Sequence, residues 1–292
     1  MFLQGAFDAA LALGRRAVAA ERPGSPPDEI AWNALVQSLL YGGNAPEALH
    51  VAEEMVVAAE VWGDPWLGVV ARNTATAMQV DRRWGNLDDL RAVAAETLSM
   101  ARQLDNPTAL MLASFTLGVA ESYRDPAAAI GPLRESLEAF DRWSAGGTFE
   151  VIPTGQLCRC YASVGDVVRA ASTIRRGLFL ARDSGSRTTL AYMLEYAGQA
   201  LIILDFAEEG ATLVAGAAQG RTLGAGRSLD RHVAAEQEAR TRLGRDGYDN
   251  AVRRGSAMTY EAAITYTLNA LDQLVERPDA QPVDDRSPVV RR

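Results

Sequence analysis

The run Gly43-Asn44-Ala45-Pro46-Glu47-Ala48 decides the fold. A turn glycine is followed five positions later by a small residue that opens an apolar, helix-forming stretch. The arrangement recurs along the chain. Gly5 precedes Ala10, Gly85 precedes Leu90 in Gly85-Asn86-Leu87-Asp88-Asp89-Leu90, Arg124 precedes Ala129, and Gly165 precedes Ala170. A weaker sixth instance, Phe206-Ala207-Glu208-Glu209-Gly210, leads to Ala211. The marks at 10, 48, 90, 129, 170 and 211 are separated by 38, 42, 39, 41 and 41 residues. A self-similar period near forty residues signals stacked supersecondary units.

The unit is a helical hairpin. Glycine accepts the positive φ at which a first helix, A, ends. The small residue five positions on lets a second helix, B, approach it closely. Pro23 to Pro27, Asp64-Pro65, Asn106-Pro107, Gly146 to Pro153 and Ser184 to Ser186 mark breaks between hairpins. Between them apolar residues recur at helical spacing, as in Trp32, Leu35, Val36, Leu39 and Leu40, or Leu110, Ala113, Leu117 and Ala120, or Leu157, Cys158 and Tyr161. No stretch alternates as a strand would. One hairpin cannot bury its own apolar faces, so neighbours must stack. The expectation is an all-α right-handed superhelix of five to six hairpins closed by a C-terminal helical cap.

The hairpins resemble tetratricopeptide repeats with lengthened connections, the second unit carrying Trp32, Leu35, Leu39, Gly43 and Ala48 in the motif's order. Residues 205 to 272 carry a further resemblance. Gly210-Ala211-Thr212-Leu213-Val214-Ala215-Gly216-Ala217-Ala218 is followed by a helix around Arg231 to Leu243, then Gly247-Tyr248 to Gly255, then Thr259-Tyr260-Glu261-Ala262-Ala263 to Leu268. This is similar to the C-terminal end of actinobacterial signal-transduction ATPase regulators, the LuxR-type and AfsR-type proteins and relatives fused to adenylate cyclase. The resemblance implies a non-catalytic interaction or sensor module of a transcriptional or signalling regulator, with an upstream ATPase domain among its partners. In this reading Gly255 stops one helix and Thr259 caps the next. Residues 1–205 form the repeats, 206–275 the last hairpin and cap, and 276–292, with Pro278, Pro282 and Pro288, a disordered tail.

Composition removes other classes. Among 292 residues there is no lysine, so all 29 basic residues are arginine. A Walker A lysine and a Schiff-base lysine are thereby excluded. A net charge of −8 argues against bulk nucleic-acid binding, which runs on phosphate neutralisation. Two cysteines, Cys158 and Cys160, are too few for a disulfide framework, and the first twenty residues lack the charge order of a signal peptide. A cytoplasmic protein without a membrane span is expected. Cys158 and Cys160 are read as thiols rather than metal ligands, and His50 and His232 as exposed helix residues. Neither the glycine-rich run 220–226 nor the acidic pairs offers catalytic geometry, so no enzyme activity, metal or cofactor is expected.

The remaining site is the inward face of the A helices, which in stacked hairpins binds a peptide, partner helix or inducer. Registering each unit on its turn mark puts Asn33, Gln37, Tyr41, Arg72, Gln79, Arg83, Ser122, Arg159 and Tyr196 there. The alternative is a small-molecule pocket between repeats. The first helix has no A helix before it, which leaves Phe2, Leu3, Phe7 and Leu11 as a face for a partner or a second copy.

Overall fold

Short polar side chains start the helices. Asp28, Asp64, Asn86 and Asn106 each accept hydrogen bonds from two backbone N–H groups of the following first turn. Asn44, Asp166, Ser186 and Thr259 each accept one. These caps satisfy donors that a helix leaves unpaired. Asp64-Pro65 and Asn106-Pro107 combine such a cap with proline at the first helical position, where the missing N–H costs nothing.

The computed structural model describes residues 7–20, 28–143, 150–218 and 229–277. Among them it is all-α, with thirteen helices: α1 (Phe7–Ala19), α2 (Glu29–Tyr41), α3 (Ala45–Trp62), α4 (Pro65–Arg82), α5 (Leu87–Gln103), α6 (Pro107–Glu121), α7 (Pro126–Trp143), α8 (Val151–Ser163), α9 (Val167–Asp183), α10 (Arg187–Ile203), α11 (Ala207–Ala217), α12 (Leu229–Ala257) and α13 (Tyr260–Val275). None of these helices is long and apolar enough to cross a membrane.

The repeat marks fall on alternate helices. Ala48, Leu90, Ala129 and Ala170 are the fourth residues of α3, α5, α7 and α9, and all four are buried. The turn before each of α3, α5 and α9 holds its glycine at positive φ: Gly43 at 90°, Gly85 at 91° and Gly165 at 79°. Arg124 leaves the turn before α7 in ordinary backbone, which closes through Asp125 N–H donating to Glu121 O.

Three expectations change. The sixth mark is Gly210, not Ala211, because Gly210 is the fourth residue of α11. Asp205, at φ 69°, takes the turn role there. Gly255 does not stop a helix, since α12 continues to Ala257. It serves a close approach instead, for a β-carbon on Gly255 would collide with the carbonyl oxygen of Thr212 in α11. The interruption of α12 lies at Gly244, with φ 66° and ψ 175°. Pro153 sits inside the first turn of α8 rather than in the break before it.

The chain packs as two units. The first holds α1 to α7 and the first turn of α12. Successive helices pair, and α4 also packs on α6. Its main core gathers Leu35, Leu39, Met55 and Leu67, with Leu11 of α1 packed against it. The second unit holds α8 to α11, the rest of α12, and α13. Here α8 packs on both α9 and α10, α10 on α11, and α13 on α9 and α11. Ile174, Leu178, Met193, Leu194, Leu201 and Leu271 are fully buried in this unit, each contributing roughly 1.5–3 kcal/mol of transfer free energy.

Phe2, Leu3 and the tail beyond 277 lie outside the described residues, as do the side chains of Phe7 and Tyr41.

Candidate functional site

A common register organises the even helices. Gln37, Gln79, Arg159 and Gln199 each stand eleven positions before the fourth residue of the following helix, respectively Ala48, Leu90, Ala170 and Gly210. Gln156 and Tyr196 stand fourteen positions before Ala170 and Gly210. Matching positions on α8 and α10 therefore come side by side where those helices pack.

In the second unit this produces a polar cluster inside an apolar setting. Gln156 Nε2 of α8 donates to Tyr196 Oη of α10 at 3.2 Å. Gln156 Oε1 accepts from Arg159 Nη1 at 3.2 Å. Gln199 Nε2 donates to Glu195 Oε1 at 3.3 Å. Gln156, Glu195 and Gln199 are all buried, while Arg159 and Tyr196 are half-buried. The Arg159 Nε atom is buried and has no hydrogen-bond partner. An unmade hydrogen bond on a buried donor costs about 1–3 kcal/mol, more for a charged group. Tyr196 fits because α8 offers Gly155 opposite, where a β-carbon would overlap the ring.

Arg159 and Tyr196 were thus expected on this face and meet through Gln156. Glu195 and Gln199 were missed. The signal for them was present: counting from Gly210 instead of Ala211 moves Gln199 onto the position of Arg159.

In the first unit the expected residues separate. Asn33 and Gln37 sit one turn apart on α2, with Gln37 Nε2 donating to Asn33 Oδ1 at 3.5 Å. Arg72 turns to α3 and pairs with Glu60 at 2.9 Å. Gln79 is half-buried on α4. Asn73 and Thr116, absent from the expected set, join α4 to α6, Thr116 Oγ1 donating to Asn73 Oδ1 at 2.6 Å with both residues buried.

Arg83 and Ser122 lie together, one residue past the ends of α4 and α6. Both adjoin Tyr123. The Arg83 guanidinium carbon is 5.2 Å from the Tyr123 ring centre, and that of Arg231, in the first turn of α12, is 3.6 Å from it. Arg231 Nη2 also donates to Ser122 Oγ at 2.7 Å.

Cys158 and Cys160 are both buried, and neither forms a disulfide. Burial pushes the Cys158 thiol far up, against a smaller downward pull from Arg159. The reactive form of a cysteine is the thiolate. His50 is exposed beside Glu54, at 3.5 Å. His232, expected on an exposed face, is buried at 7% exposure. Among the described residues no group of three or more His, Cys, Asp or Glu side chains is placed to hold a metal ion.

No protein-family model matches the chain, and no curated protein matches it.

Proposed function

We propose that the protein is a non-catalytic interaction or sensor module. In this reading its helix pairs continue as a tetratricopeptide-like superhelix, and the inner face of the even helices captures a peptide, a partner protein or an inducer. One observation carries the reading. The α8 and α10 faces hold a charged and amide-rich set whose guanidinium, Arg159, has a buried Nε without a hydrogen bond. A fold that needed only stability would fill such a position with an apolar side chain. A ligand acceptor placed at Arg159 Nε would complete the set, with Gln156, Tyr196, Glu195 and Gln199 offering donors and acceptors of both kinds.

The similarity of residues 205 to 272 to signal-transduction ATPase regulators supports a signalling context, in which capture would bias a nucleotide-binding partner domain. A cytoplasmic setting follows from the same reading.

The test is a paired screen of the full chain against an immobilised peptide library and a metabolite library, with Arg159→Ala as the counter-screen. Ligands lost on the Arg159→Ala variant, while its circular dichroism and melting temperature hold, are the expected result. Ligands from the metabolite library alone would favour the small-molecule alternative. Binding that ignores Arg159 would remove this face from the mechanism.

A further inference from the structure

The ends of α4 and α6 meet a third element in the first unit, and the contact has the chemistry of ligand recognition. Ser122 caps α6 and offers Oγ as an acceptor, while its own hydroxyl donates to Val119 O at 2.6 Å. Tyr123, the next residue, presents its ring. Arg83, in left-handed backbone at φ 57°, flanks that ring at 5.2 Å. The opposing group is Arg231, whose guanidinium lies 3.6 Å from the ring centre and bonds Ser122 Oγ at 2.7 Å. Helix carboxyl ends carry partial negative charge that favours cations. Asp81, partly buried nearby, and Asp230, 3.9 Å from Arg83, balance the arginines. Planar stacking and a directed N–H donor together suit guanidinium rather than ammonium.

We infer that the ends of α4 and α6 form a guanidinium-recognition site that the chain fills with its own Arg231, and that an arginine side chain of a protein partner takes this place when Arg231 leaves. Arg231 then acts as an internal competitor. Partner binding at Ser122 and Tyr123 is held back until the first turn of α12 releases. This site does not use Arg159, so it and the reading built on the second unit stand or fall separately.

The experiment uses the full chain with Arg231→Ala, ethylguanidinium as the side-chain probe and blocked Gly-Arg-Gly tripeptide as the partner probe. Loss of the stacked, bonded guanidinium is expected to lower the melting temperature by about 2–4 °C. Millimolar ethylguanidinium should restore it, and ethylammonium should not. The tripeptide should bind Arg231→Ala about tenfold more tightly than wild type, the size expected for one stacking contact and one charged hydrogen bond. Gly-Lys-Gly should show no such gain. Adding Ser122→Ala, or Tyr123→Leu, to Arg231→Ala should abolish the rescue, whereas Tyr123→Phe, which keeps the ring face and the packing, should preserve it. The inference is overturned if ethylammonium rescues equally, if wild type and Arg231→Ala respond alike, or if the tripeptide fails to bind Arg231→Ala even where ethylguanidinium restores its stability.

Discussion

Gly198 of α10 and Gly210 of α11 meet backbone to backbone: a β-carbon on Gly198 would lie 2.7 Å from Gly210 O, and one on Gly210 would lie 2.5 Å from Gly198 O. The buried residue at the fourth position of α3, α5, α7 and α9 is replaced here by glycine, with no side chain on either partner. This contact sets the separation of α10 and α11, and with it the position of the α10 face that carries Glu195, Tyr196 and Gln199.

Two helical glycines should respond oppositely to alanine. Gly210→Ala forces backbone apart and should destabilise by about 1–3 kcal/mol, the usual cost of overpacking. Gly68→Ala in α4 would place its methyl 3.7 Å from Met100 Cε and 3.9 Å from Ala59 Cβ, ordinary contact distances. It should stabilise by about 0.5–1 kcal/mol through helix propensity. Urea unfolding of the two variants checks both signs, and equal effects would contradict the close approach.

The Asn73–Thr116 bond spans two helices in a buried setting. Thr116→Val keeps the shape and removes the donor, leaving Asn73 Oδ1 short of a partner. The expected loss is about 1–3 kcal/mol in chemical denaturation. Converting both positions together, as Asn73→Leu with Thr116→Val, should recover part of that loss, because no buried polar group is then left unpaired.

Asp81 should impose a pH dependence on stability. Burial, the largest influence, raises its carboxyl above the ordinary 3.8, Asp230 adds to the rise, and Arg82 and Arg231 oppose it. A carboxyl raised in the folded state contributes its stability below the unfolded value and loses it as pH climbs through the folded value. Asp81→Asn should therefore be more stable than wild type at pH 7. The advantage should shrink as pH falls toward 3.8. Denaturation midpoints of both proteins at pH 7 and pH 4 decide this, and a constant difference would remove Asp81 as the source.

The cysteines should be silent in the folded protein. Both are buried, and burial keeps the Cys158 thiol protonated at ordinary pH. A thiol-reactive chromophore at pH 8 should label neither residue in native buffer and both in denaturant. Fast native labelling would mean that α8 opens readily.

The hairpin periodicity was legible because it comes from local chemistry: cap residues, turn glycines and helical spacing act over a few neighbours. The interrupted α12 was harder, since Gly244 and Gly255 look alike in sequence. Gly244 adopts positive φ and breaks the helix, whereas Gly255 stays helical and admits Thr212. What separates them is the element packed opposite. The site shows the same division. Counting from Ala211 selected Tyr196, whereas counting from Gly210 selects Glu195 and Gln199, because one position rotates a helical side chain by roughly 100°.

The sequence by itself determined that the described chain is helical and where most of its turns fall. Only the tertiary structure decided which polar side chains meet. Gln156 finds Tyr196, Thr116 finds Asn73, and Arg231 finds Ser122 across 109 residues of sequence. The physical reason is range: turns and caps are settled by residues three to five apart, whereas hydrogen-bond partners on different helices depend on how closely those helices pack, which is fixed by atoms no single helix contains.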